Sequence, residues 1–115
     1  MEIQNTQLEI LESIKNYLPR LIFGTEEAVA KIHSGSEGAF LNTIPDIIEG
    51  TQWSINAMVA INPFVNGEVN IDKINSIFLE MISAMESGDY ILVADMLEYE
   101  LIPIISSWND IICEM

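Results

Sequence analysis

The chain has 115 residues, half of them hydrophobic, and 18 acids against four bases give a formal charge of −14. That length suits one domain, residues 1–115, and the apolar share argues for a packed core rather than disorder. Lys15, Arg20, Lys31 and Lys73 are the only bases. They cannot supply the clustered positive charge that phosphate backbones or anionic membrane surfaces require, which excludes nucleic acid and membrane as partners.

The first ten residues, MEIQNTQLEI, are acidic and have no basic region ahead of an apolar core, unlike a signal or transit peptide. There is no apolar run long enough to span a bilayer, which takes about 18 residues. Cys113 is the single cysteine, so no disulfide framework exists. These features predict a cytoplasmic protein.

Helical periodicity begins at once. Ile3, Ile10, Leu11, Ile14, Tyr17, Leu18, Leu21, Ala28, Val29 and Ile32 form one stripe, which predicts a first helix over 3–33. Pro19 interrupts it, but the stripe keeps its phase across the proline, which favours one kinked helix over two. Ser34-Gly35-Ser36 is a turn. A second helix over 37–61 turns Phe40, Ile44, Ile47, Ile48, Ile55, Met58 and Val59 toward the core, with Pro45 in its early turns. Asn42, Asp46, Glu49, Gln52 and Asn56 occupy its other face, and Trp53 lies among them, away from the core. Residues 62–70, with Pro63 and Gly67, make the longest connection, and Asn70 can cap a third helix over 71–86. Its stripe is Ile71, Ile74, Ile77, Phe78, Met81, Ile82 and Met85.

The fourth segment, 88–112, is the most informative. Gly88 ends the preceding helix and Asp89 caps the next one. Tyr90, Val93, Ala94, Leu97, Leu101, Ile104, Ile105, Trp108 and Ile111 share a core face at about 100° per residue. Leu92, Met96, Tyr99 and Pro103 follow a second stripe at i, i+4, i+7 and i+11, nearly opposite. Pro103 lacks an N–H and meets the carbonyl of Tyr99, which predicts a kink. Long helices with short turns predict an all-α, antiparallel up-down four-helix bundle, counted as five helices if Pro19 splits the first.

Motifs for chemistry are sparse. Two Asp-x-x-Glu units, Asp46/Glu49 and Asp95/Glu98, each place two carboxylates on one helix face. They define the alternative reading, a carboxylate-based metal-binding or enzymatic bundle. His33 is the only histidine, whereas carboxylate-bridged metal pairs usually add Glu-x-x-His ligands. A solvated acidic surface is the simpler reading of both units. No nucleophile elbow or phosphate-binding loop exists, so no catalytic, cofactor or metal residue is assigned.

The segment Gly88-Asp89-Tyr90, with Ala94-Asp95-Met96-Leu97-Glu98-Tyr99-Glu100-Leu101-Ile102-Pro103 and the earlier Asp46-Ile47-Ile48-Glu49-Gly50, resembles segments of a family of small uncharacterised bacterial all-helical proteins. The resemblance covers most of the chain from Ser36 onward and implies a helical fold without an associated activity. In size, acidity and helical hairpins the chain is more distantly similar to flagellar export chaperones, which bind helical tails. That similarity is architectural and carries over no residue.

The function expected from the sequence is a non-enzymatic, chaperone-like or adaptor interaction module. It binds a basic amphipathic helix of a protein partner, or its own copy as a homodimer, through Trp53 and the Leu92, Met96, Tyr99 and Pro103 stripe.

Overall fold

The structure, a computed structural model, describes residues 5–62 and 71–114. The described residues are helical apart from short turns, and no strand occurs among them. Helix α1 spans Asn5–His33, α2 Glu37–Ile61 and α3 Ile71–Glu86. The fourth rod is α4, Tyr90–Met96, a π-helical turn at Leu97–Leu101, and α5, Ile102–Cys113. The fold is therefore an all-α four-helix bundle. Ile3, the connection through Pro63 and Gly67, and the Asn70 cap lie outside the described residues.

Two tight turns set the hairpins. After α1, Gly35 takes φ 83°, while its N–H donates to the Ile32 carbonyl and that of Ser36 to Lys31. After α3, Gly88 takes φ 74°, with N–H donation to Met85 and from Asp89 to Ala84. This paired closure satisfies the last carbonyls of a helix, and its left-handed residue favours glycine. Asp89 then caps α4, its Oδ1 accepting from the Leu92 N–H at 3.2 Å.

α1 packs along α2 and along α4, the π turn and α5, while α3 lies against α4 and the π turn. Trp108, Phe40, Ile14, Leu18, Met58, Ile74 and Leu101 are fully enclosed. Among the described residues, Thr25, Thr51 and Ser54 are polar residues buried with them. Each hydroxyl donates to the carbonyl four residues earlier, Leu21, Ile47 and Gly50 respectively, so none is buried without a partner.

Pro19 and Pro45 both stay inside continuous helices. Pro103 does not stop its helix either. The carbonyl of Leu97 accepts from the Ile102 N–H, an i to i+5 bond, and Pro103 enters in the first turn of α5. The wide turn sits just before Pro103, where the kink is predicted, and leaves the Tyr99 carbonyl within the π turn.

The π turn also corrects the reading of the fourth helix. A π turn holds one residue more than an α turn, so a wheel drawn at about 100° per residue loses phase across it. Met96, which reads as part of the outward stripe, precedes that turn; it is 3 % exposed and packs in the core because α4 lies against both α1 and α3, so a wider arc of it is covered. Leu101, five residues on, is buried too. Ile112 is buried where Ile111 was expected. Two further residues read as core are on the surface: Val59 and Ile82, 53 % and 50 % exposed. Among the described residues α3 packs most closely on the fourth rod, and its buried stripe is Ile74, Ile77, Met81 and Ala84.

Candidate functional site

The most distinctive surface lies between α1 and α2. Asp46, Glu49, Gly50 and Trp53 follow i, i+3, i+4 and i+7 along α2, so they share one strip of that helix. The strip borders the core face, and α1 lies beside it. Tyr17 reaches across from α1 and its ring stands edge-on to Trp53, with centroids 5.1 Å apart and planes at 77°. That is the T-shaped geometry favoured by the aromatic quadrupoles. Trp53 keeps 43 % of its surface exposed, so the ring is held by Tyr17 yet open to a ligand.

Gly50 makes this arrangement fit. It is buried, and a Cβ built on it would overlap the Tyr17 hydroxyl and sit 3.2 Å from Leu21 Cδ1. The missing side chain is the space that Tyr17 occupies.

Tyr17, Asp46, Glu49, Gly50 and Trp53 line a notch of about 460 Å³. A second hollow of about 250 Å³ continues from Tyr17 and Asp46 along the helix pair, past Arg20, Gly24, Glu27 and Thr43 to Lys31. Together they form a groove with acids and aromatics at one end and two of the chain's four bases at the other. The Tyr17 pKa is raised above its usual 10.0, first by burial and then by the charges of Glu49 and Asp46. Both carboxylates thus act on the same point of the notch, where their charge disfavours the phenolate.

The residues expected to bind a partner separate into two places. Trp53 is in the α1/α2 notch. Leu92 on α4, Tyr99 in the π turn and Pro103 in α5 are exposed on the fourth rod, Leu92 and Tyr99 at 44 % and 70 %. Met96 does not join them. Trp53 sits on α2 against α1, whereas Leu92, Tyr99 and Pro103 sit on the fourth rod and line neither hollow of the α1/α2 groove.

Sequence reasoning had counted Tyr17 as core, taken Asp46 and Glu49 as a solvated surface, and passed over Gly50. The spacing of Asp46, Glu49, Gly50 and Trp53 was a visible signal. The partner across the groove was not, because helix-to-helix register is absent from a single-helix pattern.

The two Asp-x-x-Glu units stand apart on α2 and the fourth rod. Glu98 Oε2 lies 3.7 Å from His33 Nε2, an ion pair when the imidazole is protonated, which ties the end of α1 to the π turn. Among the described residues, no three His, Cys, Asp or Glu side chains converge as metal ligands. No described helix is long and apolar enough to cross a membrane.

Residues 9–111 match the family described as a domain of unknown function (DUF8042). No curated protein and no solved structure matches the chain. The match spans most of the sequence, and the chain belongs to that family.

Proposed function

We propose that this member of the DUF8042 family is a non-enzymatic protein-interaction module, adaptor or chaperone-like, whose partner-binding surface is the α1/α2 groove. One observation carries the reading: a half-exposed tryptophan is fixed edge-on by Tyr17 in a notch walled by Asp46 and Glu49. Aromatic anchors of this kind dominate protein interfaces when a partner excludes water from around them. The partner is a positively charged helical segment. The formal charge of −14 speeds its approach, and the acids at the notch set its orientation.

Affinity isolation from the source cells tests this at low and high salt. The wild-type chain is expected to bring down a protein stoichiometrically at low salt, and Trp53→Ala to lose it. A partner retained at full yield by Trp53→Ala would overturn the assignment of the groove.

A second reading rests on a separate surface. Leu79 and Ile82 are exposed on α3 and Ile91 and Leu92 on α4, and exposed apolar side chains of this kind suit self-association as a homodimer. Light scattering over a concentration series distinguishes the two, because Leu79→Glu lowers the solution mass only if that surface pairs. The alternative of a carboxylate-based metal or catalytic bundle gains no gathered ligand set among the described residues. Elemental analysis of the purified chain tests it directly.

A further inference from the structure

We propose that the notch at Trp53 is a receptor for the guanidinium group of an arginine side chain presented by the protein partner. The Trp53 ring is the stacking surface, and the Asp46 and Glu49 carboxylates are the paired acceptors. This deepens the interaction-module reading and rests on it.

Three features define the chemistry. Trp53 is 43 % exposed and lines the notch, and tryptophan is the best of the aromatic residues at attracting a cation. Tyr17 packs against it at 77° between ring planes, a T-shaped contact rather than a face-to-face stack. Asp46 and Glu49 then stand one turn apart on the same strip of α2, and both line the notch with that ring. A planar fork of N–H donors can stack on an aromatic ring while it donates to carboxylates at its edge. An ammonium is a compact, strongly hydrated point charge and makes less of such a ring-and-rim arrangement.

The size of the notch points to a side chain that arrives on a larger body. Its volume of about 460 Å³ exceeds what a guanidinium group fills, and the adjoining hollow of about 250 Å³ gives the presenting segment a course along α1 and α2. Charge complementarity favours the same occupant, since the chain carries 18 acids and four bases. The two carboxylates that raise the Tyr17 pKa act at the floor of this notch, so a cation there relieves their field.

The chain has only two tryptophans, and this gives the test an internal control. Trp53 lines the notch, whereas Trp108 is fully buried in the core. N-acetyl-arginine methylamide is titrated into the 15N-labelled full chain, and the two indole N–H resonances are followed. The Trp53 signal is expected to move saturably in the millimolar range, with Trp108 stationary. The neutral citrulline analogue leaves both in place. The lysine analogue binds more weakly than arginine. The double variant Asp46→Asn, Glu49→Gln loses affinity by roughly tenfold or more, as expected when charge-assisted acceptors become neutral. An unchanged Trp108 signal shows that the variant is folded.

No saturable shift of Trp53, an equal response to citrulline, or an equal response to the lysine analogue would overturn the proposal. So would full binding by the double variant. The outcome is separable from that of the interaction module. A partner lost on Trp53→Ala, with an unresponsive notch in this titration, retains the groove and rejects the arginine.

Discussion

Replacing Gly50 by alanine tests the seat of Tyr17, because two opposing effects can be separated by a matched control. Gly24 lies within α1 and a Cβ there meets nothing within 4 Å. Gly24→Ala therefore reports helix propensity alone and is expected to stabilise by about 0.5–1 kcal/mol. Gly50→Ala brings a similar gain to α2, but its methyl group enters the volume of the Tyr17 hydroxyl and presses on Leu21. The phenol has to leave. That forfeits the edge-on contact with Trp53, worth about 0.5–1.5 kcal/mol, and part of the ring's burial. The gain and loss nearly cancel or leave a net destabilisation, so Gly50→Ala should fall about 1–2 kcal/mol below Gly24→Ala. For a chain of this length that separates the melting temperatures by roughly 4–8 °C. Urea unfolding measures the energies, and near-ultraviolet circular dichroism follows the aromatic pair. Tyr17→Phe combined with Gly50→Ala should recover part of the difference, since the hydroxyl is the nearest atom to the new methyl. Equal stabilisation by Gly50→Ala and Gly24→Ala, with an unchanged aromatic spectrum, would refute the Tyr17 seat over Gly50.

Met96→Glu is expected to destabilise the bundle by roughly 3–5 kcal/mol or more in urea unfolding, because it exchanges a packed side chain for an unpaired buried carboxylate. A variant that stays fully stable and loses only partner binding would restore Met96 to the surface. Tyr17→Phe should flatten stability against pH at the alkaline end. The neutral phenol is favoured in the folded chain, so the unfolded chain loses its proton first, near pH 10.0, and stability falls as pH rises from there through the higher folded value. Matching slopes for wild type and variant above that pH would contradict the burial of Tyr17 beside Asp46 and Glu49. Trp53→Ala should cost little stability, about 1–2 kcal/mol for its partly buried ring and the Tyr17 contact, with thermal unfolding as the check. Global unfolding of that variant would make Trp53 a core residue.

The parts of this fold that were legible in the sequence are those with local causes. The helices over 37–61 and 71–86 coincide with α2 and α3 because stripe and turn chemistry agree at both Gly35 and Gly88. Pro19 stayed within α1 because the apolar phase continues through it, with Leu18 and Leu21 both buried. Met96 was misplaced for a different reason. It lies in α4 ahead of the π turn, and its burial depends on α4 being covered by both α1 and α3, which a single-helix pattern cannot register. Val59 and Ile82 looked like core because they sit beside apolar stripes, but exposure depends on which neighbours are present. The candidate site was half visible: Trp53 stood out among Asp46 and Glu49 on the polar side of α2. Its other half, Tyr17, came from the packing of α1 on α2, where the absent side chain of Gly50 admits the ring.

The most direct measurement places a photo-reactive amino acid at position 53 and, in a parallel variant, at position 99 on the fourth rod, then maps adducts formed in the source cells by mass spectrometry. A defined adduct to one protein from position 53, mapped to a segment with basic residues and absent from position 99, is the result predicted for a partner held in the α1/α2 groove. Adducts from position 99 with none from position 53 would contradict it and return the partner surface to the fourth rod.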